Sequence, residues 1–389
     1  MKNKIVSLIK YFKWIYNIYF FVCSRAINIL KIFIKPQNNL ILFNSFGGRK
    51  YDDSPKALYE AMISDTRFEN YKFVWAFHNP DNFFVERAEV IKTDTIKYFK
   101  TDLQARCWIT NSGIERGLNF KGKKTFYFNT WHGTPIKKMG SDLSDSNKGF
   151  RSKAKSKIDI MTAQGDFEAD IFSRVFNIPR ERFLMCGLPR NDMLANYSDK
   201  ERIKEKLGIP SDKKVILYAP TYREYERDKT HNCILKPPVD LKKWEEVIGR
   251  DFCMLLRAHY EVVEVMDVSG NDFVKDVSEY PCLNDLMIVA DILISDYSSI
   301  FFDFSIMDKP MLHFTYDFEE YSSKRGMYFD IRNLINGGDN EEKLLDIIIN
   351  IDEDAERELT RKFRDKYVNY YGNAIGKSLD CIAANIGGE

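Results

Sequence analysis

The chain has no acidic residue before Asp52, no C-x-x-C pair among its seven cysteines, and neither a G-x-x-x-x-G-K-[ST] nor a G-x-G-x-x-G motif. Each absence excludes something. The cysteines, at 23, 107, 186, 233, 253, 282 and 381, lack metal-ligand spacing and read as inert structural thiols of a reduced compartment. Without the two glycine-rich motifs, ATP hydrolysis and dinucleotide redox chemistry lose their usual signals. The longest uncharged run of the N-terminal segment, residues 14–24, falls short of the roughly 18 to 20 apolar residues of a bilayer-spanning helix, and no small-residue cleavage site follows it. A formal net charge of +1 argues against a general polyanion-binding surface, so no nucleic acid partner is expected. There is no tandem repeat and no low-complexity tract.

What is present starts with a charge asymmetry. Lys2, Lys4, Lys10, Lys13, Arg25, Lys31 and Lys35 are embedded among Ile, Leu, Phe, Tyr and Trp residues suited to a lipid headgroup zone. Residues 1–36 therefore read as an amphipathic membrane-associating helical segment, since each basic residue beside an anionic leaflet contributes on the order of 1 kcal/mol. The alternative is a core helix pair packed on the rest of the protein. At 389 residues the chain is too long for one ordinary core.

After Pro36 short β-type runs alternate with helical ones. Residues 40–43, 72–77, 107–110, 125–129 and 158–162 read as one series of buried strands, and 215–218, 253–257, 291–295 and 310–314 as a second. Such alternation predicts an α/β architecture of two doubly wound, Rossmann-like parallel-sheet domains facing a cleft. The expected bounds are 37–200 for the acceptor-side domain, 201–340 for the donor-binding domain and 341–389 for a helical tail, with the polar stretch 196–214 as the boundary. Asp352-Glu-Asp354 superficially matches a metal-binding D-x-D but sits in a charged run and reads as a solvated helix face.

Three segments carry chemistry: N-T-W-H-G-T-P-I-K-K (129–138), L-R-A-H-Y (256–260) and I-S-D-Y-S-S-I (294–300). His132 follows a predicted strand, at the carboxyl edge where open α/β sheets bind ligands; it can accept a hydroxyl proton or, protonated, stabilise phosphate charge. A lone loop histidine is ordinarily structural, and only its neighbours argue otherwise. His259 ends a strand of the second series, one residue beyond Ala258. Arg257 offers a planar fork for phosphate, although a buried Arg paired with a carboxylate is an equally ordinary reading. His78, His231 and His313 lack this context, though His313 also lies near a strand end. The turn at Ser298 and Ser299 opens a helix whose N-terminus favours an anion, against the plainer reading of simple N-capping. Asp303, one turn on, is within reach of a ribose hydroxyl. Thr221 and Arg223 end the first strand of the second series with a hydroxyl and a cation, or form a turn with no ligand role.

Taken in order, N-S-F-G-G-R-K-Y-D-D-S-P-K-A-L-Y (44–59), T-W-H-G-T-P-I-K-K (130–138), G-L-P-R-N-D (187–192), Y-A-P-T-Y-R (218–223), R-A-H-Y (257–260), S-D-Y-S-S (295–299) and residues 316–330 resemble the CDP-glycerol:poly(glycerophosphate) glycerophosphotransferase family, the builders of wall teichoic acid. The resemblance runs from about residue 40 to residue 330. It implies a GT-B-like fold, a donor pyrophosphate held mainly by the second domain near Ser298 and Ser299, an essential histidine in each histidine motif, here His132 and His259, and no metal or other cofactor for donor binding. The chain resembles the compact primase-like and short-chain members.

The reading that follows is transfer of glycerol phosphate from CDP-glycerol to the terminal hydroxyl of a membrane-linked, undecaprenyl-diphosphate-bearing acceptor at the cytoplasmic face of the cell membrane, with CMP released. His132 is the better candidate for general base and His259 for charge stabilisation, with the reverse assignment open. Thr221, Arg223, Arg257, Ser298, Ser299 and Asp303 are the expected donor-binding residues. Rival readings are a CDP-ribitol-dependent transferase, a GT-B nucleotide-sugar glycosyltransferase, and a silent membrane-bound nucleotide-binding partner.

Overall fold

The computed structural model describes residues 13–143, 157–223, 233–234, 237–258, 262–264 and 271–387. The chain divides into two compact units, the first built from Met1–His132, Ser144–Arg190 and Asn373–Glu389, the second from Gly133–Leu143 and Asn191–Gly372.

In the first unit α1 (Lys13–Phe33) is followed by β1 (Leu40–Asn44), α2 (Asp53–Met62), β2 (Lys72–Phe77), β3 (Ala88–Lys92), α3 (Ile96–Gln104), β4 (Cys107–Thr110), β5 (Phe126–Asn129), β6 (Ile160–Ala163), α4 (Asp166–Phe176) and β7 (Phe183–Met185). The strands form one parallel sheet in the order β3-β2-β1-β4-β5-β6-β7. Every residue of β1, β4 and β5 is buried, which is why these strands read as unbroken apolar runs rather than alternating ones. The core is aromatic: Phe43 stacks on Trp75 at 5.2 Å, and Trp75 on Phe77 at 5.6 Å.

The second unit contains α5 (Asp192–Ala195), α6 (Lys200–Lys206), β8 (Lys214–Ala219), β9 (Cys233–Ile234), α7 (Leu241–Ile248), β10 (Phe252–Leu256), β11 (Val262–Glu264), β12 (Val274–Asp276), α8 (Leu283–Val289), β13 (Ile292–Ser295), α9 (Ile300–Ser305), β14 (Met311–Phe314), α10 (Phe318–Arg325), β15 (Gly337–Gly338), α11 (Glu341–Ile349) and α12 (Glu353–Tyr367). Six strands form a parallel sheet in the order β12-β10-β8-β13-β14-β15, while β9 and β11 pair separately. In both main sheets the chain winds outward in one direction and then returns to the other side of the first strand. The switch points, where such folds open a ligand crevice at the carboxyl ends of the strands, are β1/β4 and β8/β13.

The unit bounds differ from the expected ones. The division falls at Arg190/Asn191 rather than in the polar stretch 196–214, because Lys200 pairs with Asp291 and the buried Lys204 ammonium donates to the carbonyls of Ser211 and Lys213, fastening α6 to the second unit. The tail does not act as one body. α11 contributes Leu344, Leu345 and Ile348 to the second core, whereas α13 (Ala374–Ile386) buries Leu379, Ile382 and Ile386 in the first and is held there by Arg67 on Asp380. Asp352 of the D-x-D look-alike caps α12, accepting from Ala355 N at 3.1 Å.

Helix α1 docks on the first unit along one stripe: Ile27 is buried, Ser24 Oγ donates to Leu118 O at 2.8 Å and Lys31 Nζ to Lys121 O at 2.9 Å. Its other faces leave Phe21, Val22, Ile29, Ile32 and Phe33 exposed. Among the described residues no helix is long and apolar enough to cross a membrane.

Candidate active site

In the first unit, β5 ends at Asn129, whose amide nitrogen donates to Ser112 O at 2.7 Å and whose side-chain oxygen accepts from Trp131 N at 2.8 Å. That Asx turn carries Trp131 into the left-handed region, φ 51°, a conformation costing a bulky residue on the order of 1 kcal/mol or more. Packing holds it there. The indole lies against Phe172 and Phe176 of α4 and stacks on the His132 ring at 4.3 Å. Gly133, at φ 144°, turns the chain away immediately afterwards.

His132 Nδ1 lies 2.6 Å from Asn111 O. A carbonyl only accepts, so Nδ1 carries the hydrogen and Nε2 keeps its lone pair. Burial pushes the imidazole below its ordinary value, with the Asn111 bond and Asp53 opposing and Arg190 assisting; a neutral base at neutral pH follows. The loop after β1 completes the surroundings: Phe46 N donates to Asn111 Oδ1 at 2.7 Å, Gly47 N to Ser112 Oγ at 2.9 Å, and the Phe46 ring lies 5.7 Å from His132. Gly48, at φ 96°, has no room for a side chain, since a Cβ would meet Thr93 Cγ2 at 2.8 Å and Ala76 O at 3.1 Å. Loops after β1, β4 and β5 thus meet at the first switch point around one histidine.

The chain leaves the first unit directly after that histidine. Within the second unit, Gly133–Leu143 is clamped to the segment following α10: Lys138 N donates to Gly326 O, Tyr328 N to Ile136 O, Arg325 Nη1 to Lys138 O and Tyr328 Oη to Asp142 Oδ2, all at 2.8–3.0 Å.

At the second switch point Ser295 Oγ donates to Ala219 O at 2.6 Å, and Asp296 accepts from Thr221 N (2.9 Å), Tyr297 N (2.6 Å) and Arg223 Nη1 (2.9 Å). The loops carrying Thr221 and Arg223 and carrying Ser298 and Ser299 are therefore one structure. Ser298 Oγ accepts from Ile300 N at 3.3 Å in a local turn, while Ser299, the N-cap residue, makes no side-chain cap bond; both serines remain half-exposed and Tyr297 is buried beneath them. Thr221 Oγ1 is buried and has no hydrogen-bond partner among the described residues.

Three expectations change. Arg223 is 2% exposed; Nε and Nη2 grip Asp317 at 2.6 and 2.9 Å, Nη1 holds Asp296, and the guanidinium lies 5.0–5.2 Å from the rings of Tyr297, Tyr316 and Tyr321. With its fork engaged by two carboxylates it is the internal brace of the site, not a free phosphate ligand. Asp303 is also buried, accepting from Asn191 Nδ2 at 2.6 Å, and so faces inward rather than toward a ribose. Arg257 Nη1 donates to the carbonyls of Val277, Ser278 and Tyr280 at 2.5–2.7 Å, fixing the turn after β12 beside the end of β10.

His259 and His231 lie outside the described residues. His313 is buried with Nδ1 3.1 Å from Thr315 Oγ1, and burial pushes its pKa to about 4; His78 Nδ1 lies 2.6 Å from Thr93 Oγ1. Sequence reasoning missed Asn111, Asp296 and Asp317. Asn111 and Asp296 each follow a buried strand directly at a turn, a signal available from sequence; Asp317 gave none beyond lying in a segment of family resemblance.

The chain matches the family model described as CDP-Glycerol:Poly(glycerophosphate) glycerophosphotransferase over residues 27–382. It is 34% identical over 339 residues to a teichoic acid glycerol-phosphate transferase of Staphylococcus aureus, covering 82% of this chain and 86% of the relative. It is 36% identical over 313 residues to a teichoic acid poly(glycerol phosphate) polymerase of Staphylococcus epidermidis, covering 76% of this chain but 43% of that longer protein. The solved wall teichoic acid polymerase TagF superposes with a TM-score of 0.84 at 30% identity, covering 98% of each chain; TagF has also been solved as single-histidine variants and after a soak with CDPG. A putative UDP-N-acetylglucosamine 2-epimerase from Listeria monocytogenes, at 12% identity and a TM-score of 0.53, shares the fold alone, over 88% of this chain and 96% of its own. Two doubly wound units of this kind, each with its motifs at the switch point, together with a family match spanning most of the sequence, make the chain a member of the CDP-glycerol:poly(glycerophosphate) glycerophosphotransferase family.

Proposed function

We propose that this protein transfers glycerol phosphate from CDP-glycerol to the terminal hydroxyl of a membrane-held teichoic acid acceptor, releasing CMP. The observation that carries the reading is His132, tethered at Nδ1 to Asn111 O so that Nε2 is left as a base, in the motif on which the family resemblance rests. The acceptor O–H bond breaks as Nε2 takes the proton, the oxygen attacks the glycerol-bearing phosphorus, and the electrons of the cleaved P–O bond leave with CMP. Such a transfer depends on positioning and charge stabilisation more than on covalent catalysis.

On the donor side, Thr221, Ser298 and Ser299 supply hydroxyls at one edge of the second sheet, braced by Asp296 and Arg223. The orphaned Thr221 hydroxyl supports a ligand contact there, because buried polar atoms are ordinarily paired. His259 is proposed from its motif as the group that stabilises charge on the transferred phosphoryl. The exposed apolar residues of α1, with basic residues on either side, support peripheral attachment to an anionic membrane surface, the cytoplasmic leaflet where a lipid-diphosphate-linked acceptor would lie.

The test is nucleotide release by the purified protein with CDP-glycerol, CDP-ribitol and UDP-sugars. CMP release with CDP-glycerol, lowered about 10²- to 10⁴-fold in His132→Ala, is expected. Turnover of CDP-ribitol alone would change the polyol; relatives that are ribitol-phosphate polymerases, one 24% identical over 420 residues, make that comparison necessary. Turnover of a UDP-sugar alone would make the protein a glycosyltransferase.

A further inference from the structure

The loop after β1 gathers a cluster of basic side chains to which the reaction as described assigns no part. Gly47 and Gly48, at φ 67° and 96°, curl the chain so that three consecutive carbonyls are bound by three basic residues: Phe46 O accepts from Arg49 Nη1 at 3.2 Å, Gly47 O from Arg116 Nη2 at 2.9 Å and Gly48 O from His78 N at 2.7 Å. Consecutive Cα atoms lie about 3.8 Å apart, so the three anchoring residues span less than about 8 Å of loop. The Phe46 ring of this loop lies 5.7 Å from His132, and Gly47 N donates to Ser112 Oγ at 2.9 Å, so the cluster and the histidine share one frame within the first unit. His78 directly follows β2, and the loop itself follows β1, at the carboxyl edge where sheets of this kind bind ligands.

Each of the three side chains keeps a donor in reserve. Arg49 is exposed and pairs with no carboxylate among the described residues. Arg116 is half-buried and engages Asp94 through Nε at 3.0 Å and Gly47 O through Nη2, while Nη1, 3.1 Å from where a Gly47 Cβ would lie, has no hydrogen-bond partner among the described residues. His78 Nδ1 lies 2.6 Å from Thr93 Oγ1, and Nε2 has no partner there either; with the Thr93 hydroxyl donating to Nδ1, the ring hydrogen sits on Nε2. Asp94 is itself half-exposed and is the carboxylate bonded to this group, so positive charge is in excess, and that excess attracts an anion. Arg223, whose fork is closed by two aspartates, is the opposite case. Burial first, then the Arg116 charge and, after the opposing Asp94, that of Arg49 hold the His78 imidazole below its ordinary value, in keeping with the contacts that gather these groups.

We propose that Arg49, His78 and Arg116 bind a phosphate of the acceptor, either the phosphodiester next to its attacking hydroxyl or the diphosphate that links it to its lipid carrier. Two guanidinium groups and an imidazole N–H match phosphate oxygens in geometry as well as charge. Because one loop holds both this cluster and the Phe46 ring beside His132, a phosphate gripped here fixes the hydroxyl relative to the base. The identity of the ligand rests on the reaction proposed above, whereas the anion site rests on the contacts of the loop alone.

The experiment has a binding arm and a turnover arm, both on the full-length protein. In the first, the His78 ring signal, assigned by its loss in His78→Asn, is followed by NMR during separate titrations with glycerophosphoglycerol, farnesyl diphosphate, uncharged diglycerol and CDP-glycerol. A saturable shift with one or both of the first two probes, none with diglycerol, and a dissociation constant raised about 5- to 20-fold in Arg49→Gln are expected; the probe that binds tells which phosphate is taken. Arg49 is exposed, so its loss spares the fold, which circular dichroism checks. No saturable shift with either phosphate probe, an affinity unaltered by Arg49→Gln, or a shift with CDP-glycerol alone overturns the proposal, the last by giving the cluster to the donor. In the second arm, Arg49→Gln and His78→Asn, whose amide can still bond Thr93 Oγ1, are expected to raise the KM for acceptor in CMP release by a like factor and to leave the KM for CDP-glycerol in place. An equal rise in both, or a rise in neither, overturns it. If the phosphate probes bind as expected but CDP-glycerol is not turned over, the anion site stands and the proposed reaction falls.

Discussion

At the scale of single residues, charge and burial decide which side chains touch substrate and which hold the site together. Arg223 is the clearest case, because a guanidinium at the end of a strand looks identical in sequence whether it awaits a phosphate or braces two aspartates. Its engagement with Asp296 and Asp317 predicts that Arg223→Met destabilises the fold by about 3–5 kcal/mol, since the buried Asp296 and the half-buried Asp317 lose their partner. Urea unfolding monitored by circular dichroism measures this; a variant as stable as the parent with only a raised KM for CDP-glycerol would return Arg223 to the donor site. Asp102 of α3 presents the converse. It is fully buried, neither carboxylate oxygen has a hydrogen-bond partner among the described residues, and burial, opposed by Arg116, holds its carboxyl well above the usual carboxylate range. A group whose pKa is raised on folding loses its contribution as pH rises past the unfolded value of about 4, because the unfolded chain then releases a proton that the folded one retains. Asp102→Leu is therefore expected to be more stable than the parent at pH 7 by about 1–3 kcal/mol, with the gap narrowing toward pH 4. Parallel melting curves at the two pH values check both sign and trend.

At the scale of elements, close approach of backbone to backbone fixes the edge of the second sheet. Gly337 of β15 sits at φ 159° opposite His313 of β14, and a Cβ there would come within 2.1 Å of His313 O and 2.6 Å of its ring. Gly337→Ala is expected to cost on the order of 3 kcal/mol by forcing the two strands apart, seen as a lowered melting temperature and faster amide exchange along β14. Unchanged exchange there would mean the edge can yield. Strands buried on both faces were legible as runs of apolar residues, and β1, β2, β4 and β5 fall within a residue of the expected bounds. The edge strands β3, β7, β12 and β15 were not. β3 carries Glu89 and Lys92 exposed, and β15 consists of two glycines, so neither composition nor period distinguishes them from loop.

At the scale of the whole molecule, the N-terminal helix is docked along one stripe, as the packed-helix alternative expected, and leaves apolar side chains exposed elsewhere. Ile27, Ser24 and Lys31 join it to the first unit, while Ile29, Ile32 and Phe33 are exposed. Replacing those three exposed residues by serine leaves the docked stripe intact. Binding to vesicles containing anionic lipid is expected to weaken by about tenfold or more, and turnover on membrane-borne acceptor to fall with it, while turnover of a soluble acceptor holds. An equal loss on both acceptors would mean that these residues serve the fold instead.

The amino-acid sequence by itself determined the α/β class, the alternation into two strand series and the identity of the histidine and D-Y-S-S motifs, because burial on both faces of a sheet and the chemistry of phosphate leave local signatures. It carried the family as well, since the motifs recur in a fixed order. What only the tertiary structure decided is non-local. The pairing of β1 with β4 and of β8 with β13 brings distant loops together at two switch points, turns Arg223 and Asp303 inward, ties His132 to the Asn111 carbonyl, and sends the last helix back to the first unit. Each of these depends on which strand lies next to which, and a contact between residues a hundred positions apart leaves no trace in the local pattern of either.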